Sequence, residues 1–261
     1  MKKIFTLKTY LPVLYFIGSM LVLIGIWTLV SVISKGEIPG PLLTWAKFLE
    51  LKNDAFYQDE NYKGIAIQLV SSLGRVFTGF ALGSLVAIPL GLLLGSNKIA
   101  MNLFNPIVQI LRPVSPLAWF PLGLLFLKSA PGATIFIIFI TSLWPTLINT
   151  AFGVSTIPQD HKNVGKAFGF SRWKYITRIM LPFSLPHIIT GLKLSIGVAW
   201  MVIVAGEMLS GGLGIGFFVW DSWNAGSIEQ ILVAILIIGL VGLLLDKFFT
   251  ILQKSLSYEN K

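Results

Sequence analysis

The chain has 261 residues, 55% hydrophobic and only 12% charged, against about a quarter charged in an ordinary soluble domain. Twenty Lys and Arg against eleven Asp and Glu give +9, but a mean hydropathy of +0.81 leaves no polar groove for a nucleic-acid backbone, so nucleic acid is excluded and the charge is assigned to a lipid surface. With no Cys, and with His161 and His187 too far apart for a helical pair, thiolate chemistry and a His-based metal centre are excluded as well.

Crossing the hydrocarbon layer takes about 20 largely apolar residues. Six such spans are predicted, making the chain an all-α polytopic membrane protein. The longest stretches between spans leave no room for a second, water-soluble domain, so residues 1–261 are taken as one unit. The first span, 12–33, follows Lys2, Lys3 and Lys8. It is too long for a cleaved signal peptide and no A-x-A site follows, so it is read as a retained anchor. Residues 34–64 are an outer loop, with a short surface helix expected over 42–51. The second span is 76–94, preceded by an amphipathic lead-in over 65–75. The third, 101–127, contains Arg112, Pro113 and Pro116. Each proline removes a backbone donor and clashes with the preceding turn, so this span is predicted to be bent or broken. The fourth, fifth and sixth are 133–154, 186–209 and 228–249. With the amino terminus inside, twelve of the twenty Lys and Arg fall in inner segments, including Lys2, Lys3, Lys8 and Lys261, and that bias places both termini in the cytoplasm.

Between the fourth and fifth spans lies IPQDHKNVGKAFGFSRWKYITRIMLP, residues 157–182. Pro158 suits a helix start, Asp160 its first turn, and Gly169 the left-handed residue that ends it. Ser171 caps a second helix through the amide of Lys174 or Trp173, and that helix is expected to run until Pro182 stops it. The hairpin carries Lys162, Lys166, Arg172, Lys174 and Arg178 beside Phe168, Phe170, Trp173 and Tyr175. Such a mixture suits a docking surface; the competing reading is a positive-inside signal with aromatics at headgroup level.

From Gly169, nine residues intervene before Ile179, followed by Leu181 and Pro182: G-x9-I-x-L-P. This spacing resembles the cytoplasmic EAA loop of bacterial ABC importer permeases, with Asn163, Val164 and Gly165 in the places of Glu, Ala and Ala. The departure removes the motif's carboxylate. The segments 72–95, 111–126 and 190–209 look like the nitrate, bicarbonate, cyanate, sulfonate and taurine branch of these permeases. Residues 214–224 and 238–247 are most similar to its nitrate, bicarbonate and cyanate members. The resemblance implies a type I ABC importer permease in the bacterial inner membrane. It also implies a second permease copy or homologue, two cytoplasmic ATPases holding ATP and Mg, and a periplasmic or lipid-anchored solute-binding protein. Nitrate or nitrite is the first expected cargo, then bicarbonate or cyanate, then sulfonates such as taurine. The chain is expected to bind no cofactor and to catalyse nothing. It has no Walker A pattern, and GGLGIG at 211–216 lacks nucleotide-loop spacing.

Charges inside the bilayer cost about 2.5–3.5 kcal/mol each on translocon scales, so each invites a reason. Arg112, at the break in span three, is the leading pathway residue, with Trp119 and Glu207 beside it as candidates. The competing reading is that Arg112 ties down the broken helix or pairs with Glu207. Glu207 is expected to pair with a cation or cap loop amides near Gly211 and Gly212, and Arg75 to snorkel to the outer headgroups. Gly79 with Gly83 and Gly91 with Gly95 form two G-x-x-x-G pairs, suited to close approach within the subunit or across a dimer. A secondary transporter or channel is the alternative of a different class. Neither needs a coupling hairpin.

Overall fold

The computed structural model describes residues 11–59 and 63–256, so Lys2, Lys3, Lys8 and Lys261 lie outside the described residues. Eleven helices are found among them: α1 Leu11–Ile33, α2 Pro41–Asn53, α3 Ile65–Ser96, α4 Lys98–Leu111, α5 Phe120–Leu127, α6 Ala130–Ser155, α7 Gln159–Ala167, α8 Arg172–Tyr175, α9 Leu181–Ser210, α10 Ile215–Asn224 and α11 Ile228–Leu256. A 3-10 turn, Pro116–Trp119, precedes α5, and a π turn, Ile176–Met180, joins α8 to α9. Five helices are long and apolar enough to cross a membrane, and α4 with the Pro116–Leu127 segment, bent by 94° at its break, gives a sixth if the pair is counted as one span. The predicted fracture at Arg112–Pro113 is therefore observed. Residues 65–75 are not a separate lead-in: their buried face, Ile65, Gln68 and Ser72, runs on into Val76, and α3 is one helix of 32 residues.

Helices α3, α6 and α9 form the centre. A Cβ on Gly79 would meet Ile138 at 2.7 Å, and one on Gly91 would meet Thr150 at 2.6 Å. Gly83 and Gly95 likewise face α6, so both G-x-x-x-G pairs serve packing within the subunit. The register rises in step along both chains, so α3 and α6 run parallel. Helix α9 returns antiparallel, with Gly191 against Thr146 and Gly206 against Ile137. Val76, Ile138, Ile196, Ala199 and Ile203 fill the space between them. Thr146 and Ser195 hydroxyls meet at 2.8 Å, and Ser195 donates to the Ser142 carbonyl at 2.6 Å, satisfying polar atoms that lipid could not.

Helix α11 runs antiparallel to α9. Trp200 Nε1 donates to the Ile238 carbonyl at 2.9 Å, Lys193 pairs with Asp246 at 3.1 Å, and Gln253 donates to Thr190 at 2.9 Å. Its carboxyl end thus lies at the end of the bundle where α9 begins. Helix α1 is exposed along nearly its whole length and meets the body through α2 and the Trp27 Nε1 bond to the Pro39 carbonyl. Its apolar side chains are fit for lipid.

Candidate functional site

The loop between α6 and α9 folds as a hairpin whose turn is set by Gly169, with φ at +59°. The Gly169 amide donates to the Lys166 carbonyl at 3.0 Å and the Phe170 amide to the Gly165 carbonyl at 2.9 Å, the bond pair of a Schellman motif. Ser171 Oγ then accepts from the Lys174 amide at 3.3 Å and starts the second arm. Gly165 is buried where a Cβ would lie 3.0 Å from the Tyr175 ring and 3.2 Å from Ile179, so the two arms meet at this position. Ile157, Val154 and Met180 are buried together at the root, with Tyr175 and Ile179 packed on them.

Pro182 does not stop the second arm. The helix continues from Arg172 to Ser210, 39 residues, with Pro182 in the first turn of α9. Proline cannot donate to the carbonyl four residues back, and the π turn at Ile176–Met180 directly before it widens the helix locally. The hairpin is therefore one piece with a membrane-crossing helix. At the tip, Phe168 and Trp173 are each 74% exposed, Val164 is 48% exposed, and Lys174 Nζ lies 4.5 Å from the Phe170 ring centre. Asn163, in the place of the motif's Glu, is exposed and accepts from Gln159 Nε2 at 3.2 Å within its own helix.

The three pathway candidates are not brought together. Arg112 lies at the carboxyl end of α4 and lines a cavity of about 610 Å³ whose other walls are Leu94 of α3 and Leu147 and Ile148 of α6. Among the described residues its side chain makes no ion pair or hydrogen bond, so it neither pairs with Glu207 nor fastens the break. Trp119 does not line this cavity. It packs against the group formed by Phe120, Ala133 and Ile137, and its indole Nε1 is buried without a partner among the described residues.

Glu207 lies at the opposite end of α9 and is fully buried. Arg75 Nη1 donates to its Oε1 at 2.6 Å, Ser72 Oγ donates to Oε2 at 2.7 Å, and the Gly216 amide donates to Oε2 at 3.0 Å. The same face of α3 holds the loop after α9. Gln68 Oε1 accepts from the Gly214 amide at 2.6 Å, Ser72 Oγ accepts from the Ile215 amide at 2.8 Å, and Arg75 donates to the Leu213 carbonyl. Gly214 has φ at +147°, and a Cβ there would sit 2.2 Å from the Glu207 carboxyl carbon. This corrects the expectation that Arg75 snorkels to headgroups: a buried carboxylate on the neighbouring helix is the stronger claim on a guanidinium. It also corrects the expected amide, since Glu207 reaches Gly216 rather than Gly211 or Gly212. The signal was present in the sequence, because Gln68, Ser72 and Arg75 repeat at i, i+4, i+7 on a mostly apolar helix.

Comparison with known proteins places this geometry. Residues 87–258 match the family described as binding-protein-dependent transport system inner membrane component. The chain is 41% identical to the nitrate import permease protein NrtB of Synechocystis sp., over 89% of this chain and 85% of that one. It is also 41% identical to the bicarbonate transport system permease protein CmpB of Synechococcus elongatus, over 88% and 84%. The fold is similar to that of a chain of the MetNI methionine ABC transporter in an inward-facing conformation, with a TM-score of 0.63 at 14% identity, covering 74% of this chain and 96% of that one. The hairpin, the broken span and these likenesses agree: the chain belongs to the binding-protein-dependent transport system inner membrane components, the permease subunits of ABC importers.

Proposed function

We propose that this chain is the translocating subunit of an ATP-driven importer for a small inorganic anion, nitrate or nitrite first. The observation that carries the anion reading is Arg112, among the described residues the one charged residue lining the α4 cavity, with no carboxylate across from it. Bicarbonate is the second reading, because relatives named for bicarbonate import follow close behind those named for nitrate import in similarity to this chain. Cyanate and sulfonates follow. In this reading the 157–182 hairpin, with Asn163, Val164, Gly165, Gly169, Ile179, Leu181 and Pro182, faces the cytoplasm together with both termini. It seats on one of two ATPases, which carry ATP and Mg; this chain binds no cofactor and catalyses nothing itself. A second copy or close homologue completes the path, and a solute-binding protein delivers cargo from outside. Closure of the ATPases moves the hairpin, and the unbroken helix from Arg172 to Ser210 carries that movement through the membrane.

The test is reconstitution of the complex with its binding protein, measuring ATP hydrolysis and uptake for each anion. Nitrate uptake that stops when ATP is withheld is the expected result. Uptake that survives loss of ATP and collapses with the ion gradient would establish a secondary transporter instead. Orientation is checked separately. The natural chain has no Cys, so Phe168→Cys and Phe56→Cys, both at exposed positions, give single labelling sites. Phe168→Cys is expected to react only with reagent on the cytoplasmic side.

A further inference from the structure

We infer that α4 carries a stepwise binding site for a planar oxoanion, formed by Arg112 together with two side-chain amides, Gln109 and Asn105. The inference rests on the anion-import reading and adds to it the residues that contact cargo. Asn105, Gln109 and Arg112 stand at i, i+4 and i+7 on one face of α4 and all three line the 610 Å³ cavity. Among the described residues none of the three side chains makes a hydrogen bond or ion pair. Apart from Lys98 and Asn102 in its first turns, the rest of α4 is apolar: Ile99, Leu103, Phe104, Ile107, Val108, Ile110 and Leu111. Amides and a guanidinium turned toward hydrocarbon would each be left without partners at a cost of a few kcal/mol, so this polar row belongs to a wet path.

The chemistry of the row selects the ligand class. Among the described residues Arg112 is the only charge in the lining, which contains no Asp or Glu. Its guanidinium offers two parallel N–H groups that match two oxygens of a flat anion, and each amide adds an NH₂ donor. Leu94, Val108, Leu147 and Ile148 form apolar walls beside the row, whose three polar side chains are themselves exposed. At about 610 Å³ the open cavity is far larger than a small oxoanion, so the anion enters with part of its hydration. The rise of about 1.5 Å per residue puts Gln109 about 4.5 Å and Asn105 about 10 Å along the axis from Arg112. Donors spaced this way hand an ion along. No single cage holds it, and weak successive sites favour release.

The test uses the assembled complex with the binding protein saturated by nitrate, and the quantity read is nitrate delivered per ATP hydrolysed. Gln109→Met keeps side-chain length and removes both donors; Arg112→Gln removes the charge. Each is expected to lower the delivery ratio at least threefold while ATP hydrolysis stays within twofold of the natural protein. A ratio within twofold of the natural value in both variants would overturn the proposal. So would transport and hydrolysis falling in step, which marks a structural role. If the natural complex hydrolyses ATP but moves no anion, the import reading has failed on its own. In that event modification of Arg112 by phenylglyoxal, followed by mass spectrometry, decides the site. Protection by nitrate that is lost in Gln109→Met supports it, and equal modification rates with and without nitrate refute it.

Discussion

Replacing Arg75 by Met removes the cation from Glu207 while leaving an apolar stem of similar reach. The carboxylate is fully buried and keeps only the Ser72 hydroxyl and the Gly216 amide, while the Leu213 carbonyl loses its donor. Breaking a buried pair from one side costs about 3–5 kcal/mol, because the remaining charge is stranded. At about 2–4 °C per kcal/mol for a chain of this size, the midpoint should fall by on the order of 10 °C. Glu207→Gln should cost less, since Arg75 retains some exposure and its bond to Leu213. The double variant Arg75→Met with Glu207→Gln should recover much of the loss, because two neutral groups can occupy the site without a stranded charge. The assay is thermal unfolding in nanodiscs, followed by tryptophan fluorescence and by retention of a monodisperse peak. Single variants within about 1 kcal/mol of the natural protein, or a double variant whose loss is the sum of the two, would refute the clamp.

Gly169→Val should uncouple the assembled complex, with ATP hydrolysis retained and uptake much reduced, because a β-branched residue is strained at φ +59° and the Schellman turn would shift. Gly91→Ala should cost about 1–3 kcal/mol in the same unfolding assay, since its Cβ would fall 2.6 Å from Thr150 and 2.9 Å from the Leu147 carbonyl. Gly74→Ala, on the same helix with nothing within 4 Å, should instead be neutral or stabilising by up to about 1 kcal/mol.

Hydrophobic run length located the apolar segments, and proline chemistry determined where the third one breaks, since both depend on a single segment and its solvent. The hairpin was legible for the same reason: Gly169 and Ser171 act on backbone groups two or three residues away. Pro182 misled because a local rule was applied where packing intervened. Ile179 and Met180 are held against Val154 and Ile157, and a π turn takes up the missing bond. The partner of Glu207 was legible only as a pattern. Arg75 and Arg112 are both arginines within apolar stretches, and nothing local tells which one faces α9. That choice was made by the register of α3 against α6 and α9, set where glycines let backbones approach, which turns Gln68, Ser72 and Arg75 toward Glu207 and leaves Arg112 facing an open cavity. A segment fixes its own helix through bonds within it, whereas the neighbour of a buried charge depends on how three helices are rotated about one another.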